Sequence, residues 1–115
     1  MCRGYKMNGL STTWKMGDRV IRLKDVIRFL DKKHRRVYRV PAHLLYRALK
    51  RCLRTSRKRM MRADIAVPII VIVDRETRRP VVILDGNHRL VKAVETGQDI
   101  RMRIMYNDEY DKMFG

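Results

Sequence analysis

Five consecutive residues, Asp85-Gly86-Asn87-His88-Arg89, hold most of the chemistry this sequence could perform. They lie between an apolar run, Val81 to Leu84, and a segment in which Leu90, Val91, Ala93 and Val94 recur at helical spacing, so they form a strand-to-helix turn. Free amides at a helix start, a glycine that lets backbone approach a ligand, and adjacent His and Arg donors all favour an oxyanion such as a phosphate. Arg89 could fork two phosphate oxygens and stabilise charge developing during transfer, while His88 could donate to a phosphate or shuttle a proton. Asp85 has two readings of equal weight: a carboxylate that coordinates Mg²⁺ or takes a proton from an attacking water, or a cap for turn amides. Gly86 suits the turn itself and close phosphate approach alike, and Asn87 fits a helix cap first and a ligand amide second. A hydrogen-bonded structural role is the plainer reading of His88 and competes with its ligand role.

Strand, box and helix together resemble the signature of the ParB/sulfiredoxin-like superfamily, in which an Asp-Gly-His-His-Arg or related box binds nucleotide phosphates. The likeness runs from about Arg19 to Tyr106. Val67-Pro68-Ile69-Ile70-Val71 is similar to the Pro-led strand before that box, and Ala93 and Gly97 to its small residue and closing glycine. Asn87 stands where sulfiredoxins carry their cysteine, which argues against thiol-based repair. Chromosome-segregation ParB proteins carry Gly-Glu-Arg-Arg and a following helix-turn-helix domain, for which a chain ending at Gly115 is expected to have no room. The closer resemblance is to small phage or plasmid ParB-like domains, often called nucleases, and to free serine kinases. It implies nucleotide binding, phosphoryl transfer or phosphodiester hydrolysis. Asp85, His88 and Arg89 would be catalytic, Gly86, Asn87, His88 and Arg89 would hold the phosphates, and the cofactors would be a nucleoside triphosphate with Mg²⁺ at Asp85.

Charge points to a partner. The chain carries a formal +16, and the segment from Arg19 to Arg62 alone holds 17 basic against 2 acidic residues, or +15. From Ala63 to Gly115 there are 8 basic and 9 acidic residues, so the half that carries the box is nearly neutral. Such a dense cationic surface repels itself unless an anionic partner offsets it, which favours nucleic acid, DNA ahead of RNA, over a solvated helix face with no partner. Arg47, Lys50, Arg51, Arg54, Arg57, Lys58 and Arg59 are the expected contacts. They lie far from the box in sequence, so this binding is expected to be independent of it. Trp14 alone is weak evidence for a base-stacking platform and fits packing on the domain edge better.

The elements that position these residues follow from periodicity. Val20, Ile21 and Leu23 suggest a short strand, then Leu23, Val26, Ile27 and Leu30 a helical stripe. Residues 35–40 read as an extended connection, and Pro41 fits the first turn of a helix whose apolar stripe is Leu44, Leu45, Ala48, Leu49, Cys52 and Leu53. Residues 55–62 read as a second basic helix or a segment that orders on a polyanion. Strands over 67–74 and 80–85 flank a hairpin loop, a helix over 89–96 closes at Gly97, and Ile100, Met102, Ile104 and Tyr106 alternate as a strand with one buried face.

The expected fold is therefore a small α/β (α+β) domain with a mixed sheet, flanking helices and a basic helical N-terminal half. An arm over 1–18 precedes the single domain, 19–107, and an acidic tail over 108–115 follows it. Cys2 and Cys52 lie in unlike contexts and suggest no disulfide, and no signal or membrane span is apparent, so a reducing cytoplasm is expected, the host's if the chain is phage-encoded. His34 and His43 lack metal-site spacing, so no zinc is expected. Two functions compete: a phage- or plasmid-type ParB-like nuclease or nucleotide hydrolase that binds nucleic acid, and a noncatalytic nucleic-acid or host-protein binding module whose box is structural or senses nucleotide.

Overall fold

Ile69–Val73, strand β4, is five β-branched residues in a row, and every one of them is buried. A strand buried on both faces must be interior to a covered sheet. In the computed structural model, which describes residues 13–16, 19–53 and 56–114 and the backbone alone at 13–16, 19, 20 and 52, β4 lies between two neighbours. Pro80–Asp85, β5, pairs with it antiparallel across the expected hairpin, and Asp99–Tyr106, β6, pairs with it parallel. Tyr38–Pro41, β3, adds antiparallel to the outer side of β6, giving the order β3-β6-β4-β5. Asp74 sets the hairpin loop by accepting the amides of Glu76 and Thr77 at 2.9 and 3.0 Å.

Alternation along the strands divides the core in two. Ile70 and Ile72 face one side with Val82, Leu84 and Met105, covered by helices α1, Leu23–Lys32, and α5, Asn107–Phe114. Ile69, Val71 and Val73 face the other with Ile83 and Ile100, covered by α2, Ala42–Leu49, and α4, Asn87–Glu95. The result is an α+β fold with a four-stranded mixed sheet and helices on both faces. A 3-10 turn, Lys50–Cys52, follows α2, and α3, Arg57–Arg62, leads toward β4. Thr13–Met16, β1, and Arg19–Arg22, β2, form a separate two-stranded ribbon. Among the described residues no helix is long and apolar enough to cross a membrane.

Several expectations are corrected by packing. Residues 108–114, read as an acidic tail, belong to α5: Tyr110 and Phe114 are buried and stacked at 4.5 Å, and Glu109 is neutralised by Arg35. The stripe proposed for α2 is narrower than expected, because only Ala42, Leu45 and Leu49 are buried while Leu44 is 52% exposed. Helix α4 starts at Asn87, two residues earlier than expected. Strand β6 is interior, so Met105, assigned to its outer face, is fully buried. Of the arm, Thr13–Met16 is β1. Residues 1–12, Arg54 and the side chains of Trp14 and Cys52 lie outside what is described.

Candidate functional site

The hairpin and helix α4 build the box. Asp85 ends β5 opposite Ile70, and Gly86 turns the chain with φ +107° as the cap residue of α4. A Cβ at Gly86 would sit 2.3 Å from Cγ2 of Ile69, so the glycine is required by the close passage of β4 as well as by its left-handed backbone. Asn87 is the first helical residue and its side chain makes no cap. Its Oδ1 is buried without a hydrogen-bond partner among the described residues, which corrects the capping expectation. Such an orphaned acceptor is costly and uncommon.

Asp85 and Arg89 pair one helical turn apart, Nη1 to Oδ2 at 3.3 Å. Burial pushes the Asp85 carboxyl above its ordinary value, against the pull of the Arg89 guanidinium. His88 is buried, and its Nε2 accepts the backbone N–H of Ser56 at 3.1 Å. An accepting nitrogen carries no proton, so this ring is neutral with its hydrogen on Nδ1. Burial, assisted by the Arg59 cation, holds its pKa below the ordinary value.

Ser56 caps α3 by accepting the Arg59 amide, so His88 fixes the start of that helix. Lys92, one turn further along α4, fixes its end by donating to the carbonyls of Met61 and Ala63 at 3.0 and 2.7 Å. Clamped in this way, α3 delivers Arg59 and Arg62 to the box. A recess of about 280 Å³ results, lined by Arg59, Arg62, Asp64, Asp85, Gly86, His88 and Arg89.

The structure thus gathers Asp85, Gly86, His88 and Arg89 at one recess and leaves Asn87 buried behind it. Of the described cations expected to bind nucleic acid, only Arg59 reaches this recess, and Arg54 lies outside the described residues. Arg47, Lys50, Arg51, Arg57 and Lys58 are exposed on α2, the 3-10 turn and α3. The basic segment and the box, far apart in sequence, thus meet in space, since α3 is a wall of the site. Arg62, Asp64 and Lys92 were not among the expected site residues, although a signal existed. In an antiparallel hairpin, residues that precede the first strand lie beside those that follow the second, so 62–64 must neighbour the turn after β5.

Among the described residues no group of three or more His, Cys, Asp or Glu could hold a metal ion. Asp64 and Asp85 do share the recess, and Mg²⁺ is commonly held by one or two carboxylates together with substrate phosphates. That donor set fits an ion bound along with its phosphate. No protein-family model matches the chain, and neither does any curated protein or solved structure. The likeness to the ParB/sulfiredoxin-like signature accordingly rests on the box and its flanking strands.

Proposed function

We propose that the protein binds a phosphate of nucleic acid or nucleotide in the β5–α4 recess and hydrolyses it, as a phage- or plasmid-type ParB-like nuclease or nucleotide hydrolase. One observation carries this reading: Arg59, Arg62 and Arg89 converge from two helices on a recess that also holds Asp64 and Asp85. Guanidiniums fork phosphate oxygens and stabilise the charge that builds during transfer. A carboxylate whose pKa is raised by burial is a better proton acceptor, so Asp85 suits the water that attacks phosphorus as the bond to the leaving oxygen breaks. In the alternative role Asp85, with Asp64, would hold Mg²⁺ that neutralises phosphate charge, and it is then a ligand and not the base.

A noncatalytic reading is favoured by a different observation. His88 is occupied by the Ser56 amide and Asp85 by Arg89, so each has a structural partner. Calorimetry with CTP, ATP, ADP and GTP, with and without Mg²⁺, combined with phosphate release and nuclease assays on the same preparations, separates the two. Wild type is expected to bind and turn over, Arg89→Ala to lose binding, and Asp85→Asn to keep binding with turnover lower by about a hundredfold or more. Binding without turnover would leave the noncatalytic module, and no binding by wild type would make the box a structural turn.

A further inference from the structure

The sheet end that carries the box carries a second recess. The end of β5, the starts of β4 and β6 and the end of β3 all lie there, as the pairs Ile70–Asp85, Ile69–Met102 and Pro41–Asp99 require. This second recess, about 330 Å³, is lined by Arg39, Ile65, Ala66, Gln98, Asp99 and Arg101. Ala63 and Asp64 line the first recess while Ile65 and Ala66 line the second, so one short connection is the wall between them.

Arg39 and Arg101 are direct cross-strand partners in the β3–β6 pairing, so their side chains leave the sheet side by side on the same face. Both are exposed, and among the described residues neither has a carboxylate within ion-pairing distance, Asp99 included. The contrast with Arg103, two residues on along the same face of β6, is sharp. Arg103 is held by Asp31 at 2.7 Å and by the Arg35 carbonyl at 2.9 Å. Like charges directly opposite one another cost a sheet stability. Blocking of edge-to-edge pairing accounts for a charge on β3, the sheet's edge, but not for Arg101 on the interior strand β6.

Along the sheet end β5 lies two to three strand spacings, roughly 10–14 Å, from β6 and β3, and Arg39 and Arg101 leave the sheet on the α1 and α5 face while α3 and α4 wall the box on the other, so the two sites are at least that far apart. No single phosphate group touches both recesses, whereas a nucleic-acid strand, with a phosphate about every 3.4 Å of axial length, offers one to each. Among the described residues no Phe, Tyr or Trp lines either recess, and the one aromatic ring there, His88, is held by the Ser56 amide, so the lining favours backbone phosphates over a base-stacking platform. We infer that the ligand is a polynucleotide strand, held by its backbone, which runs from the box across the 63–66 connection to a second phosphate subsite formed by Arg39 and Arg101. This rests on the phosphate reading of the box and narrows it from nucleotides to polymers.

The test is a salt series of anisotropy titrations with a short labelled single-stranded oligodeoxynucleotide, run beside calorimetry with a deoxynucleoside monophosphate. Arg39→Gln/Arg101→Gln should bind the oligonucleotide about tenfold more weakly, with a log–log salt slope shallower by about 1.4 for two lost phosphate contacts. Its affinity for the monophosphate should equal that of wild type, and it should melt no lower because a like-charge pair is gone. Arg89→Ala should weaken both ligands. Unchanged oligonucleotide affinity and slope in the double variant would overturn the second subsite while leaving the box reading standing, as would a wild type that binds the monophosphate and no oligonucleotide. Oligonucleotide binding that is indifferent to Arg89→Ala would instead remove the box reading, and with it the continuous path.

Discussion

His88 is where architecture and chemistry share one side chain. Its neutral ring accepts the Ser56 amide, and protonation would turn that acceptor into a donor facing a donor. Because its folded pKa lies below the ordinary value of about 6.5, the unfolded chain takes up the proton first. The stability that His88 contributes is therefore complete above about pH 6.5 and is lost as pH falls through the folded value. Melting curves should show wild type losing stability over this window more steeply than His88→Asn, and parallel curves would contradict the assignment. The strand-to-helix position of the box was legible in the sequence, because apolar periodicity changes across it. The reason for Gly86 was not, since Ile69 approaches it only through the hairpin, and the orphaned Asn87 oxygen depends on packing that no local pattern reveals.

Among the elements, β4, β5 and β6 and the helix after the box were readable because their apolar residues dominate. Helix α5 was hidden by its acids. Asp108, Glu109 and Asp111 mask the spacing of Tyr110, Met113 and Phe114, and the buried Glu109 is met by Arg35 from 74 residues away. Arg75 and the Tyr106 amide also serve that carboxylate. Burial alone would raise its pKa, but the Arg35 hydrogen bond, the Tyr106 amide and the two cations together bring it below the usual 4.5. The stabilisation is present above about pH 4.5 and is lost as pH falls through the folded value. Glu109→Gln should cost about 3 kcal/mol at neutral pH, near the lower end for breaking a buried pair, and should flatten the acid limb of the stability profile. Urea denaturation at several pH values measures both, and a loss below about 0.5 kcal/mol would mean that α5 docks by its aromatic face alone.

At the scale of the molecule, the charge asymmetry read from the sequence as two separate halves becomes one surface. The clamp of His88 and Lys92 lays basic α3 beside the nearly neutral half, so the dense cationic segment supplies Arg59 and Arg62 to a turn that holds Asp85 and Arg89. Charge counting finds the cations but not their destination, which the hairpin decides. The central claim is that a phosphate occupies this recess. Backbone amide NMR during titration with inorganic pyrophosphate tests it most directly, because it reports position as well as binding. The account predicts saturable shifts at the amides of Gly86, Asn87, His88 and Ser56, all lost in Arg89→Ala. Shifts confined to the exposed faces of α2 and its following turn, or unchanged in Arg89→Ala, would contradict it.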